Sequence, residues 1–97
     1  MARVVRAELT MTVAAGDTAE FEREWNLVAA WVREQPGCLR QTLCRDESGY
    51  VLTSDWESED AFSAFERSNA QHSITEPLRR LRRSARMRTL KVIAHWE

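Results

Sequence analysis

Cys38-Leu39-Arg40-Gln41-Thr42-Leu43-Cys44-Arg45, then Asp46-Glu47-Ser48-Gly49, then Tyr50-Val51-Leu52-Thr53-Ser54-Asp55-Trp56 reads as strand, turn and return strand. The tetrapeptide between the two runs carries the acidic, hydroxyl and glycine residues that turns require, so the segment is a β-hairpin. On the return strand Tyr50, Leu52, Ser54 and Trp56 share one face by the period of two, and Asp55 points to the other. Upstream, Pro36-Gly37 stops a helix that begins after Asp17 and runs to about Glu34. Asp17 and Glu20 have the spacing of a capping box, and Phe21, Trp25, Val28 and Val32 form the apolar stripe, with Leu27 and Trp31 on its flank. Ahead of that helix, Arg3 to Val13 is a long strand of alternating residues, broken by Ala14-Ala15-Gly16.

Downstream of the hairpin, Ser58 is a good N-cap for a second helix, with Glu59 and Asp60 in its first turn and Phe62 and Phe65 on its buried side. The polar stretch Ser68 to Ser73, which contains His72, reads as a loop. Pro77 fits the first turn of a short third helix with Leu78, Leu81 and Ala85 facing inward, and Met87 to Trp96 is the last strand. The order is β-α-β-β-α-(α)-β. Helices alternating with strands around a central hairpin give a ferredoxin-like α+β fold, an antiparallel sheet with helices on one face, as one domain over residues 1–97. Met87 and Ile93 stand against Leu90 and Val92 on the last strand, and Val4 and Thr10 against Leu9 and Met11 on the first. A sheet with one wet face should alternate more cleanly, so another copy of the chain is expected to cover the second face as a homodimer.

Composition narrows the function classes. The 97 residues are 43% hydrophobic and 30% charged, an ordinary globular mixture, with a net charge of -1 that gives no reason to expect nucleic acid or an anionic membrane. The longest apolar run, Leu27 to Val32, is too short to span a bilayer, and Met1 to Arg6 has no signal-peptide character, so the expected place is the cytoplasm. Cys38 and Cys44 on one straight strand lie roughly 20 Å apart, beyond disulfide reach. His72 and His95 are the only histidines and lack ligand partners at metal-site spacing. Gly16, Gly37 and Gly49 are isolated, so there is no phosphate-cradling loop. No cofactor is expected. The run Arg79, Arg80, Arg82, Arg83, Arg86 and Arg88 reads as a solvated face. One of these arginines, Arg86 at the start of the last strand, is the candidate to meet a phenolate or carboxylate of a ligand.

The helix exit Gln35-Pro36-Gly37-Cys38, the segment Trp56-Glu57-Ser58-Glu59-Asp60-Ala61-Phe62 and the downstream His72 together resemble the antibiotic-biosynthesis monooxygenase family of dimeric α/β barrels. The resemblance covers nearly the whole chain. It implies a cofactor-free oxygenase acting on an aromatic polyketide such as an anthrone, with dioxygen as the second substrate. A polyketide cyclase or a non-catalytic binding module of the same fold is the alternative. In the polyketide oxygenases the strand-end tryptophan, matched here by Trp56, lines the substrate pocket, whereas the residues alone read Trp56 as a core aromatic. If Trp56 points into a pocket, Tyr50 and Ser54 do so as well, and Trp25, Trp31 and Phe65 could wall a flat aromatic ligand. His72, folded over the pocket mouth, would be the proton acceptor. The chain departs from the family in having no asparagine from Arg3 to Val13. Haem-degrading relatives are matched by His72 as a ligand, but Phe65 stands where they carry a helix tryptophan.

Overall fold

Val5–Val13 forms strand β1, with Val5, Ala7, Leu9, Met11 and Val13 on one face and Arg6, Glu8, Thr10 and Thr12 on the other. The computed structural model describes residues 3–97. A 3-10 turn at Ala15–Asp17 leads into helix α1, Thr18–Val32. The expected capping box does not form: no side-chain oxygen caps α1, because the backbone closes the turn itself through Asp17 N–H on the Ala14 carbonyl at 2.9 Å. Strands β2, Cys38–Arg45, and β3, Tyr50–Trp56, make the hairpin. Its turn is tied by the Asp46 carboxylate, which accepts from the backbone of Ser48 at 2.8 Å and of Gly49 at 2.9 Å. The Ser48 hydroxyl, which donates to the same oxygen at 2.9 Å, and then these backbone bonds hold Asp46 below the usual carboxylate range.

Helices α2, Glu59–Glu66, α3, Asn69–Ile74, and α4, Glu76–Leu81, precede the last strand β4, Arg82–Lys91. Ser58 caps α2 as expected, accepting from Ala61 N–H at 3.1 Å. The order across the sheet is β2-β3-β1-β4 with every pair antiparallel, the ferredoxin-like arrangement. Gly37, at φ 86, sits where a Cβ would approach the Ala61 side chain to 2.6 Å, so only glycine lets the chain leave α1 this close to α2. The core, including Phe21, Val28, Val32, Trp56, Phe62 and Leu78, lies between the sheet and its helices.

Two boundaries differ from the sequence reading. The Ser68–Ser73 stretch is not a loop: Ser68 caps α3 by accepting from Gln71 N–H at 2.9 Å, so His72 is helical. β4 starts at Arg82 rather than Met87 and ends at Lys91 rather than Trp96. Its extent follows that of β1, since Val13 pairs with Arg82 and Val5 with Lys91. An arginine-rich run favourable to helix is thus drawn into the ladder by the partner strand, which overrides local propensity. Ala85 accordingly lies on β4 opposite Met11, not on a helix.

The open face is also more polar than expected. Its rows run Arg40, Asp55, Arg6, Leu90 and then Thr42, Thr53, Glu8, Arg88. Asp55 is only 4% exposed. Arg6 grips it with Nε at 2.7 Å and Nη2 at 2.9 Å, and Arg40 approaches to 3.6 Å. Arg88 pairs with Glu8 at 3.0 Å. Asp55 is held below the ordinary carboxylate range, chiefly by the Arg6 hydrogen bonds and then by the charges of Arg6, Arg40 and His95, against the opposing effect of burial. A carboxylate depressed in the folded state stabilises above its unfolded pKa, about 4, and that contribution is lost as pH falls through the folded value. Asp55→Asn should therefore lower stability at neutral pH by about 1–3 kcal/mol. The gap from the parent should narrow in denaturant titrations below about pH 4. A gap independent of pH would mean the ion pair is not its source. Among the described residues no helix is long and apolar enough to cross a membrane.

Candidate functional site

Between the helix-facing side of the sheet and the helices lies a cavity of about 160 Å³. Ala7, Leu9 and Met11 of β1 and Leu52, Ser54 and Trp56 of β3 form its floor, and Trp25, Val28 and Val32 of α1 one wall. Phe62 and Phe65 of α2 form another. Trp56 is completely buried, with the Phe65 ring centroid 4.6 Å and the Phe62 centroid 5.8 Å from its own. The exposed lining residues Glu66 and Met87, with the half-buried Gln71, Thr75, Arg79 and Arg82, mark the open side. A cavity of about 150 Å³ is enough to hold a benzene molecule. A larger fused-ring ligand would extend out through the open side.

Few polar groups face this space, and four of them, Ser54, Gln41, Thr75 and Arg79, are in side-chain hydrogen bonds. The Trp56 indole N–H donates to Ser54 Oγ at 3.0 Å, so Ser54 keeps its own hydroxyl proton to donate elsewhere. Gln41 Nε2 donates to the Ala29 carbonyl at 3.0 Å, fixing the amide at the cavity margin. At the open side Arg79 donates from Nη2 to the His72 carbonyl at 2.7 Å and from Nη1 to Thr75 Oγ1, whose own hydroxyl donates to the Gln71 carbonyl at 2.8 Å. Burial, and then the neighbouring charge of Arg79, push the Arg82 guanidinium down from its ordinary value.

Four of the eight candidates from the sequence meet in this cavity: Trp56, Ser54, Trp25 and Phe65. The other four do not line it. Tyr50 is on the expected face but at the far end of β3, its ring stacked on Phe21 at 4.8 Å and its hydroxyl donating to Glu22 Oε2 at 2.5 Å. Burial first, and then that bond, raise its pKa. Trp31 packs behind the wall, 6.1 Å from Phe65. His72 is exposed on α3, and its backbone carbonyl rather than its ring reaches the site, through Arg79. Arg86 pairs with Thr10 and so lies on the open face of the sheet, in a shallow depression with Glu8 and Arg88. The arginines that reach the cavity are Arg79 and Arg82. Sequence reasoning missed Arg82 because it placed the start of β4 five residues late, and it missed Arg79 because it read the whole arginine run as a solvated face. Among the described residues no group of three or more His, Cys, Asp or Glu is clustered to hold a metal ion.

The profile of the family described as antibiotic biosynthesis monooxygenase matches residues 4–76. The chain belongs to this family. Among solved structures it is similar to SnoaB of Streptomyces nogalater, described as a cofactor-independent oxygenase, at 28% identity, covering 97% of each chain with a TM-score of 0.85. It is also similar to the haem-degrading protein Rv3592 of Mycobacterium tuberculosis, at 25% identity over 100% of this chain and 99% of that one, TM-score 0.81. A conserved protein of Methanosarcina mazei shares the fold at 13% identity over 91% of each chain, TM-score 0.81. A search of the curated proteins returns no match. The antibiotic biosynthesis monooxygenase fold thus accounts for the sheet order and for the cavity's position under the helices.

Proposed function

We propose that the protein is a cofactor-independent monooxygenase acting on an electron-rich aromatic compound of the polyketide type, with dioxygen as co-substrate. The observation that carries this reading is the mainly apolar cavity walled by Trp25, Phe62 and Phe65, with Trp56 sealed behind them, against which an aromatic ring can lie. The likeness to SnoaB across nearly the full chain supports it. Ionisation of the substrate makes it the electron donor. The proton leaves toward the open side, where Glu66 is the only carboxylate among the described lining residues. The carbanion or phenolate passes electrons to dioxygen and forms a carbon–oxygen bond. The resulting hydroperoxide loses water, so that a ring CH2 becomes C=O, with one oxygen atom retained and the other released as water. Ser54, with its hydroxyl proton uncommitted, is placed to stabilise the developing oxyanion. We also propose a homodimer assembled through the open sheet face.

The test is oxygen uptake with a graded set of substrates from naphthols to anthrones, with products analysed after incubation under labelled dioxygen. Consumption of one dioxygen per substrate and one labelled atom in the product are expected. Ring closure without oxygen uptake would assign the protein to cyclases. No turnover across the set would leave a binding module.

A further inference from the structure

Apart from Ser54 and Gln41 the cavity walls are apolar, and the open side carries two arginines beside Gln71, Thr75 and Glu66. Arg79 and Arg82 line it, from the last turn of α4 and the first position of β4. Five arginines meet acids, Arg6 and Arg40 at Asp55, Arg45 at Glu22, Arg80 at Glu76 and Arg88 at Glu8, while others such as Arg23, Arg67 and Arg83 are in exposed positions without an acid partner among the described residues. Neither Arg79 nor Arg82 is in such a pair among the described residues. Arg79 is instead oriented by two neutral acceptors, Thr75 Oγ1 and the His72 carbonyl, which fix the guanidinium without neutralising it. The one carboxylate on the same rim, Glu66, is exposed.

A helix C-terminus explains why a cation is tolerated at position 79. It does not explain why a second guanidinium is brought beside it against an aromatic cavity. Two like charges at a half-buried site repel each other and lose hydration, which is why the charged form of Arg82 is disfavoured there. Arginine nevertheless remains charged, so an anion is the natural partner, and a planar oxyanion group matches the guanidinium fork. Both residues lie beyond the stretch 4–76 that carries the family pattern.

We propose that Arg79 and Arg82 form the anion-recognising end of the cavity. The ligand is then an aromatic acid whose carboxylate or ionised enol oxygen meets the guanidinium pair while its rings lie against Trp25 and Phe65. This rests on the reading above that the cavity takes an aromatic ligand, and it adds a charge requirement that the reading lacks.

Isothermal calorimetry at neutral pH with two matched pairs tests the proposal. Naphthoate is compared with naphthamide, and the ionised hydroxynaphthoquinone lawsone with its neutral methyl ether. Within each pair the ring system is the same and the substituent changes from anionic to neutral. The wild type should prefer at least one of the two anions by about tenfold or more, and the pair with the larger ratio tells carboxylate from enolate. Arg79→Gln and Arg82→Gln should each reduce that ratio, and the double variant should bring it near unity. Arg83→Gln, on an exposed neighbour outside the lining, should preserve it. Arg79→Lys with Arg82→Lys keeps the charge without the fork and should fall between. Equal affinity for anion and neutral partner in the wild type would overturn the charge requirement and leave the aromatic reading standing. So would a preference that survives in a folded double variant. Failure of all four compounds to bind would sink the aromatic reading and this inference with it.

Discussion

Trp56→Ala is expected to remove ligand binding and turnover together and to lower stability by about 3–5 kcal/mol. The indole is wholly buried and touches both phenylalanines of α2, so truncation leaves a large void that the sheet and helix cannot close. A loss of that size is a large part of the total stability of a small domain, about 5–15 kcal/mol. Stability and function therefore have to be separated by a second substitution. Trp56→Phe retains an aromatic face but deletes the N–H that Ser54 accepts at 3.0 Å. It should fold with a loss of about 1–2 kcal/mol and bind naphthalene-sized rings less than about tenfold more weakly. Denaturant unfolding measures the first quantity and calorimetry the second. If Trp56→Ala stays folded and binds aromatic compounds as the wild type does, the cavity is not the binding site.

The sheet was legible because its determinants are local. The Asp46–Gly49 turn ties its own backbone, and Pro36-Gly37 can only end a helix, so β2, β3 and α1 follow from the residues beside them. The period of two also placed Ser54 and Trp56 on the same face, where both line the cavity. What escaped was set by partners distant in sequence. β4 takes its length from β1, some 70 residues earlier, where Thr12 lies against Ser84, and helix propensity in the arginine run points the other way. Once the start of β4 moves to Arg82, Arg86 falls on the open face and Arg82 comes to the cavity rim, beside Arg79 from the last turn of α4. Tyr50 shows a different limit. Period two gives the face but not the distance along it, and a seven-residue strand carries Tyr50 out of reach of the slot at Trp56. His72 illustrates a third: its backbone carbonyl does the work, and no residue type announces that.

The second large effect concerns assembly. Sedimentation at micromolar concentration is expected to give twice the chain mass. Leu90, Ile93 and Trp96, on β4 and the segment after it, are 36%, 77% and 91% exposed, which leaves large apolar side chains uncovered along this edge strand and its extension. The open face beside them is polar, but its ion pairs are formed within the chain, Asp55 with Arg6 and Arg40 and Glu8 with Arg88. Covering satisfied pairs costs far less than covering lone charges. A second copy is the occupant that brings the same apolar edge to meet this one, which closes the contact without an open filament. Leu90→Glu is the discriminating variant. Arg6 lies directly opposite Leu90 on β1, so the new carboxylate finds a partner in the monomer and should leave its thermal stability nearly unchanged. In a dimer the same carboxylate would be buried as an added charge at the contact and should weaken association by about 100-fold or more. A wild type that sediments at the mass of one chain would refute the dimer. A Leu90→Glu variant that dimerises as tightly as the parent would move the contact away from this face and onto another edge of the fold.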